Sequence, residues 1–160
     1  MDENAHHGPS DNAARSYLML AVNMVISLAI MYFAMYTMID GWQDFRNNLN
    51  MFYMALTMWA PMGILMLATM GGMYRIRGVN LALYILFAAV ALGSLWATRS
   101  QALINDRYFI ASMIPHHSGA ILMCREARLQ DPELVQLCND ITVGQRREIE
   151  QMNAIAARLR

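Results

Sequence analysis

The chain has 160 residues, with twelve arginines, no lysine and twelve acids, so its net charge is zero. It is 57% hydrophobic and only 15% charged, with a mean hydropathy of +0.27, which is too apolar for an ordinary soluble domain. No basic run exists, which excludes nucleic acid as a natural partner, and sixteen methionines call for a physical reason.

Residues 1–15 are polar and carry Gly8-Pro9-Ser10-Asp11, a composition predicting a disordered tail; His6 and His7 read as solvated side chains within it. Three apolar stretches follow, about 16–39, 51–73 and 79–97, each near the ~20 residues a transmembrane helix needs. The first is a retained anchor rather than a signal peptide, because its apolar run exceeds the ~7–15 residues of such a peptide and no small-residue cleavage site follows. Arg15, Arg75 and Arg77 fall on one side of the membrane, Arg46 and Arg99 on the other. The short loop holding Arg75 and Arg77 is the clearest cytoplasmic signal, and Trp42 and Trp96 then lie at the outer interface. This places the N-terminus in the cytoplasm and the C-terminal segment outside.

The methionines of the second stretch, at 51, 54, 58, 62, 66, 70 and 73, keep to a drifting helical stripe. Met24, Met31, Met35 and Met38 share a face of the first. Two readings are open. Methionine is a flexible apolar packing residue; alternatively, thioethers are soft ligands, and Met54, Met58, Met62 and Met66 form a path for a cuprous ion. Pro61 is predicted to kink the second span. Gly71-Gly72 and Gly93-Ser94 permit close helix approach, and Asn23 is a polar group deep in a span that suits an interhelical hydrogen bond.

The remaining segment, 98–160, reads as a helical hairpin of about 106–128 and 132–159. After the third apolar stretch the helix either runs on or restarts with Asn105 or Asp106 as its cap, and Asp131 before Pro132 starts the second helix of the hairpin. Met113, His116, His117, Ala120, Met123 and Cys124 share one face of the first helix; Cys138, Ile141, Gln145, Glu148, Met152 and Ile155 share one face of the second. Folding the chain back at Asp131 sets Cys124 opposite Cys138 and His117 opposite Gln145. Pro115 is predicted to kink the first helix just before the histidines.

Two adjacent imidazoles among thioethers suit a soft transition metal better than acid–base chemistry. The candidate metal residues are His116, His117, Met113, Met123, Met152, Glu148 and Gln145, with Cu(I) or Ag(I) preferred over zinc, which favours imidazole, thiolate and carboxylate. Adjacent side chains diverge by ~100° on a helix, so one histidine ligates and the other serves a second metal or a partner helix. Gln145 and Glu148 suit a supporting role, fixing the imidazole tautomer; the plainer alternative pairs Glu148 with an arginine and leaves the histidines as hydrogen-bonding groups. For Cys124 and Cys138 the order of readings is a disulfide contributing roughly 3 kcal/mol, two buried thiols, then copper ligands.

At these residues the sequence resembles a known family. Asp106, Phe109, Met113, Ile114, His116, His117, Gly119, Ala120 and Met123, then Gln145, Glu148, Ile149 and Met152, are similar to the bacterial family called domain of unknown function 305. The resemblance implies a ferritin-like helical fold and Cu(I) or Ag(I) binding in the periplasm. No catalytic set accompanies it: the Glu-x-x-His pairs of a di-iron oxidase, a Ser-His-Asp set and a phosphate-cradling loop are all missing from the sequence, so the chain is not expected to be an enzyme.

The expectation is therefore an all-α protein: three transmembrane helices in a bacterial inner membrane, then a periplasmic antiparallel helical hairpin amounting to half a ferritin-like bundle. It binds Cu(I) or Ag(I) in copper homeostasis or tolerance, alongside copper-handling proteins. Two helices make a thin core, so a second copy is expected to complete a four-helix bundle. The alternatives are a methionine-lined membrane copper transporter and a membrane assembly module that binds no metal.

Overall fold

In the computed structural model, which describes residues 9–159, the architecture is all-α. The helices are α1 (Pro9–Ala34), α2 (Leu49–Thr69), α3 (Arg77–Ser100), α4 (Asp106–Glu126) and α5 (Pro132–Arg158), with short 3-10 turns at Met35–Met38 and Trp42–Asp44. Three segments are long and apolar enough to cross a membrane: Ala13–Met38, Leu49–Thr69 and Arg77–Ser100. Of the tail expected over 1–15, residues 9–15 are helical instead, as part of α1, and the rest of it lies outside the described residues. His6 and His7 lie outside the described residues.

The chain forms two compact units. The first holds Met1–Met31 and Tyr53–Arg99. Its core gathers Leu20, Met24, Ala60, Leu67, Tyr74 and Phe87. The indole of Trp59 donates to the Met24 carbonyl over 2.7 Å, and the hydroxyls of Thr57 and Ser94 meet at 2.9 Å. At the other end of α2, the Tyr17 hydroxyl donates to Asn80 Oδ1 over 2.8 Å. The outer surface is as apolar as the core. Val25, Ile30, Leu65, Leu81, Ile85 and Leu92 are all exposed, the inside-out pattern of helices solvated by lipid.

Two sequence expectations change here. Gly71, Gly72 and Gly93 meet no close neighbour; Gly63 is the packing glycine, since a Cβ there would lie 2.6 Å from the Phe87 ring. The methionines also do not share one environment. Met24 is buried, Met62 and Met66 pack on the same core, and Met54 and Met58 are exposed. Helix α2 ends at Thr69, so Met70 and Met73 are outside it.

The second unit holds Ser100–Arg160 and also Tyr32–Phe52. Between α3 and α4 the backbone passes through Gln101 and Leu103, at φ 52° and 60°, left-handed values unfavourable to residues with a Cβ. The helix therefore restarts rather than running on. Asn105 caps α4, its Oδ1 accepting from the Tyr108 amide at 3.0 Å, and Asp131 caps α5, accepting from the Leu134 amide at 3.0 Å. Pro132 occupies the start of α5. Ile110, Ile114, Ile121 and Ile149 form the hairpin core, with Met152 and Ile155 packed on it.

The Tyr32–Phe52 segment is seated on α4 by buried polar groups. The Ser118 hydroxyl, fully buried, donates to Asp44 Oδ2 over 2.7 Å and accepts from the Asp40 amide at 2.7 Å. About two turns further on, Arg125 pairs with the Asp40 carboxylate. Gly119 is what allows the approach: a Cβ there would lie 3.1 Å from the Met38 carbonyl oxygen. Asn48, also buried, ties the segment's end, donating to the Arg46 carbonyl at 2.9 Å and accepting from the Met51 amide at 2.8 Å.

Removing the Ser118 hydroxyl strands a buried carboxylate and a backbone amide, each costing about 1–3 kcal/mol unsatisfied. Ser118→Ala is expected to lower stability by at least about 1 kcal/mol in detergent, read by thermal unfolding, while Ser112→Ala, at a half-buried position of the same helix, costs less. Equal effects would mean that Ser118 does not hold the segment.

Candidate metal centre

The hairpin brings His117 of α4 against Glu148 of α5, with Nδ1 and Oε2 3.0 Å apart. The turn at Asp131 alone sets His117 opposite Gln145, and the difference has a simple cause. Helical side chains lean towards their own N-terminus. His117 thus leans away from the turn and Glu148 towards it, and the two long side chains meet beyond the level of their Cα atoms. The short cysteine side chains meet on the level: Cys124 and Cys138 form a disulfide with Cα atoms 5.3 Å apart, the first of the three readings of that pair. The crosslink sits two turns from the histidines and fixes the two helices' register.

From His117 and Glu148, one helical turn away from the disulfide leads to Met113 on α4 and Met152 on α5, each at four-residue spacing and so on the same stripe. Met113 is half-buried, and Met152 packs against the isoleucine core. Gln145 lies one turn from Glu148 on the other side, and its Oε1 is buried without a hydrogen-bond partner. His116 is exposed; its ring centroid is 6.0 Å from that of His117, tilted by 60°. Met123 is also exposed. The structure thus separates the seven sequence-selected residues. His117, Glu148, Gln145, Met113 and Met152 occupy neighbouring turns of the hairpin's stripe, while His116 and Met123 face outward. Pro115 is buried within α4, which continues as one helix to Glu126.

The electrostatics favour a neutral imidazole. Burial pushes the His117 pKa below the ordinary 6.5, the Glu148 carboxylate opposes this, and His116 adds to it. Although Nδ1 and Oε2 are within hydrogen-bond distance, their angles are not those of a hydrogen bond, and Nδ1 has no partner by that stricter measure. The Glu148 side chain itself is half exposed. Proton placement on Nδ1 leaves the Nε2 lone pair for a ligand, as in carboxylate-supported metal histidines.

Among the described residues no three His, Cys, Asp or Glu side chains converge on a point. A zinc-type site is therefore not built here. Along the stripe one imidazole, two thioethers and the amide oxygen of Gln145 stand on neighbouring turns, and the unpartnered Gln145 Oε1 is an orphaned polar atom that a ligand would satisfy.

Sequence reading missed Ser118 and Gly119 as structural parts of the motif, along with Asp40, Asp44 and Asn48 opposite them. A signal was present: serine and glycine are poor helix formers, so a Ser-Gly pair in mid-helix asks for a packing reason.

Because the fold favours neutral His117, its contribution to stability is complete above the unfolded pKa, near 6.5, and is lost as pH falls through the lower folded value. Glu148→Gln removes the only influence raising that pKa, so proton NMR titration should move the His117 midpoint further down. An upward or absent shift would show that the two side chains do not interact.

Residues 91–156 match the profile of a family described as domain of unknown function (DUF305). Uncharacterized protein L153 of Acanthamoeba polyphaga mimivirus is 37% identical over 114 residues, which cover 70% of this chain and 73% of that protein. No solved structure matches. With the histidine helix, nearly all of its partner helix and the C-terminal part of α3 inside the matched region, the chain belongs to the DUF305 family.

Proposed function

We propose that this chain is a membrane-anchored protein that binds Cu(I), or Ag(I), on its helical hairpin, in copper homeostasis or tolerance. The observation that carries the reading is His117. It is a half-buried imidazole held neutral, with one nitrogen against Glu148 and the other available beside a stripe of methionines. His117, Met113 and Met152 would hold the ion; Glu148 orients the imidazole, and Gln145 offers a buried oxygen. The outward-facing His116 and Met123 suit delivery to or from a copper-handling partner, or a second copy.

On this reading α1, α2 and α3 cross a bacterial inner membrane with the N-terminus in the cytoplasm and the hairpin in the periplasm. The disulfide supports an oxidising compartment for the hairpin, as does the placement of Arg75 and Arg77 in the loop between α2 and α3. A homo-oligomer is part of the proposal. Leu134, Leu137 and Val143 of α5 are exposed, and Asn23, mid-span in α1, is exposed too, where lipid gives it no partner.

The transporter reading draws less support. A conduit needs Met54, Met58, Met62 and Met66 in one environment, and burial divides them into two exposed and two packed residues, as expected of packing. An assembly module without metal leaves the orphaned Gln145 oxygen unexplained.

Cu(I) titration against a chromophoric chelator separates these readings. Detergent-purified wild type should bind tightly, His117→Ala should lose at least tenfold in affinity, and His116→Ala should lose less. Equal binding by His117→Ala would move the site elsewhere, and no binding by wild type would leave the assembly reading. Crosslinking in native membranes should give a dimer or larger; monomer alone would remove the oligomer.

A further inference from the structure

Beyond the metal stripe, the second unit carries an open cleft of about 690 Å³ between α4, α5 and the end of the Tyr32–Phe52 segment. Its polar lining is Arg46, Asn47, Asn105, Arg107, Tyr108 and Asn153. No acid is among the lining residues, and among the described residues no carboxylate lies within ion-pair distance of either arginine. Two uncompensated guanidinium groups in one cleft stand out in a chain of zero net charge.

The three asparagines make the cleft a donor surface. Each has its amide oxygen already engaged inside the protein: Asn47 Oδ1 accepts from the Tyr32 hydroxyl at 2.5 Å, Asn105 Oδ1 from the Tyr108 amide at 3.0 Å, and Asn153 Oδ1 from Arg46 at 3.1 Å. Their NH2 groups remain as donors. Arg46 is itself held in place, its Nη1 donating to the Gln43 and Phe45 carbonyls at 2.6 and 2.9 Å. Three of its five donor hydrogens are used in these contacts, leaving two for a ligand. The N-terminus of α4, with Asp106 and Arg107 in its first turn, adds a dipole that favours an anion, partly offset by the Asp106 carboxylate.

We infer that this cleft binds the phosphate of an anionic membrane phospholipid. Guanidinium and amide donors around a rigid concavity recognise phosphate oxygens. The cleft floor is aliphatic, including Ile110 and Ile114, which suits the glycerol and upper acyl carbons rather than a small free anion. The unit that carries the cleft also carries one end of each candidate span, at Met38, Leu49 and Ser100, so the inference rests on those segments crossing a membrane and is independent of copper.

The test is native mass spectrometry of the full chain released from detergent with phosphatidylglycerol, phosphatidylcholine or inorganic phosphate. Phosphatidylglycerol should bind preferentially, and Arg107→Gln should weaken it about tenfold. Arg128→Gln, an exposed position outside the cleft, should not change it. Arg46→Gln should act like Arg107→Gln, and Arg107 carries the test if loss of Arg46 unfolds the segment. Equal retention by Arg107→Gln and Arg128→Gln, or no preference over phosphatidylcholine, would overturn the assignment. Inorganic phosphate competing as well as the lipid would overturn the lipid source.

Discussion

One buried hydroxyl organises the second unit. Ser118 serves both as donor to Asp44 and as acceptor for the Asp40 amide, and with Gly119 it lets the Tyr32–Phe52 segment lie directly on α4. A third element is thereby added to a two-helix hairpin, whose own core is too thin for independent stability. The polar contacts are worthwhile because both partners are satisfied; half-satisfied, they would destabilise. This seating covers one side of α4 and leaves the neighbouring side, bearing His117, to α5.

The disulfide and the His117–Glu148 contact then act on a common stripe. A crosslink at Cys124–Cys138 fixes the register two turns from His117, so the imidazole meets Glu148 by construction rather than by chance. Burial holds the ring neutral, the state in which imidazole binds metals. The same helix presents His116 to solvent, 100° around the axis. A His-His pair on a regular helix thus divides into an inward and an outward group, and on the proposed reading the inward one holds the ion.

Much of this arrangement was legible in the sequence, because hydrophobic runs and caps report local forces. Asp131-Pro132 marks the turn and the apolar lengths mark the spans, while the restart at Asn105 was one of two readings; the observed boundaries at Asp106, Glu126, Pro132 and Arg158 lie within two residues of the expected ones. The level meeting of Cys124 and Cys138 followed from the turn alone. The docked first loop was not legible, since Asp40, Asp44 and Asn48 are ordinary loop residues until Ser118 is known to face them. Nor was Gly63 distinguishable from Gly71 or Gly93 as the packing glycine, because that depends on where Phe87 arrives. The methionine spacing of α2 overstated a common face, as a four-residue step drifts around the helix and tertiary packing decides which members are covered.

The central claim is that His117 and the neighbouring thioethers hold a soft monovalent ion. X-ray absorption at the copper edge, on Cu(I)-loaded full-length protein and on His117→Ala, tests it most directly. The account predicts a mixed shell of imidazole nitrogen and thioether sulfur in wild type, with the imidazole signature gone in the variant. An identical spectrum in both proteins, or a shell without sulfur, would contradict it.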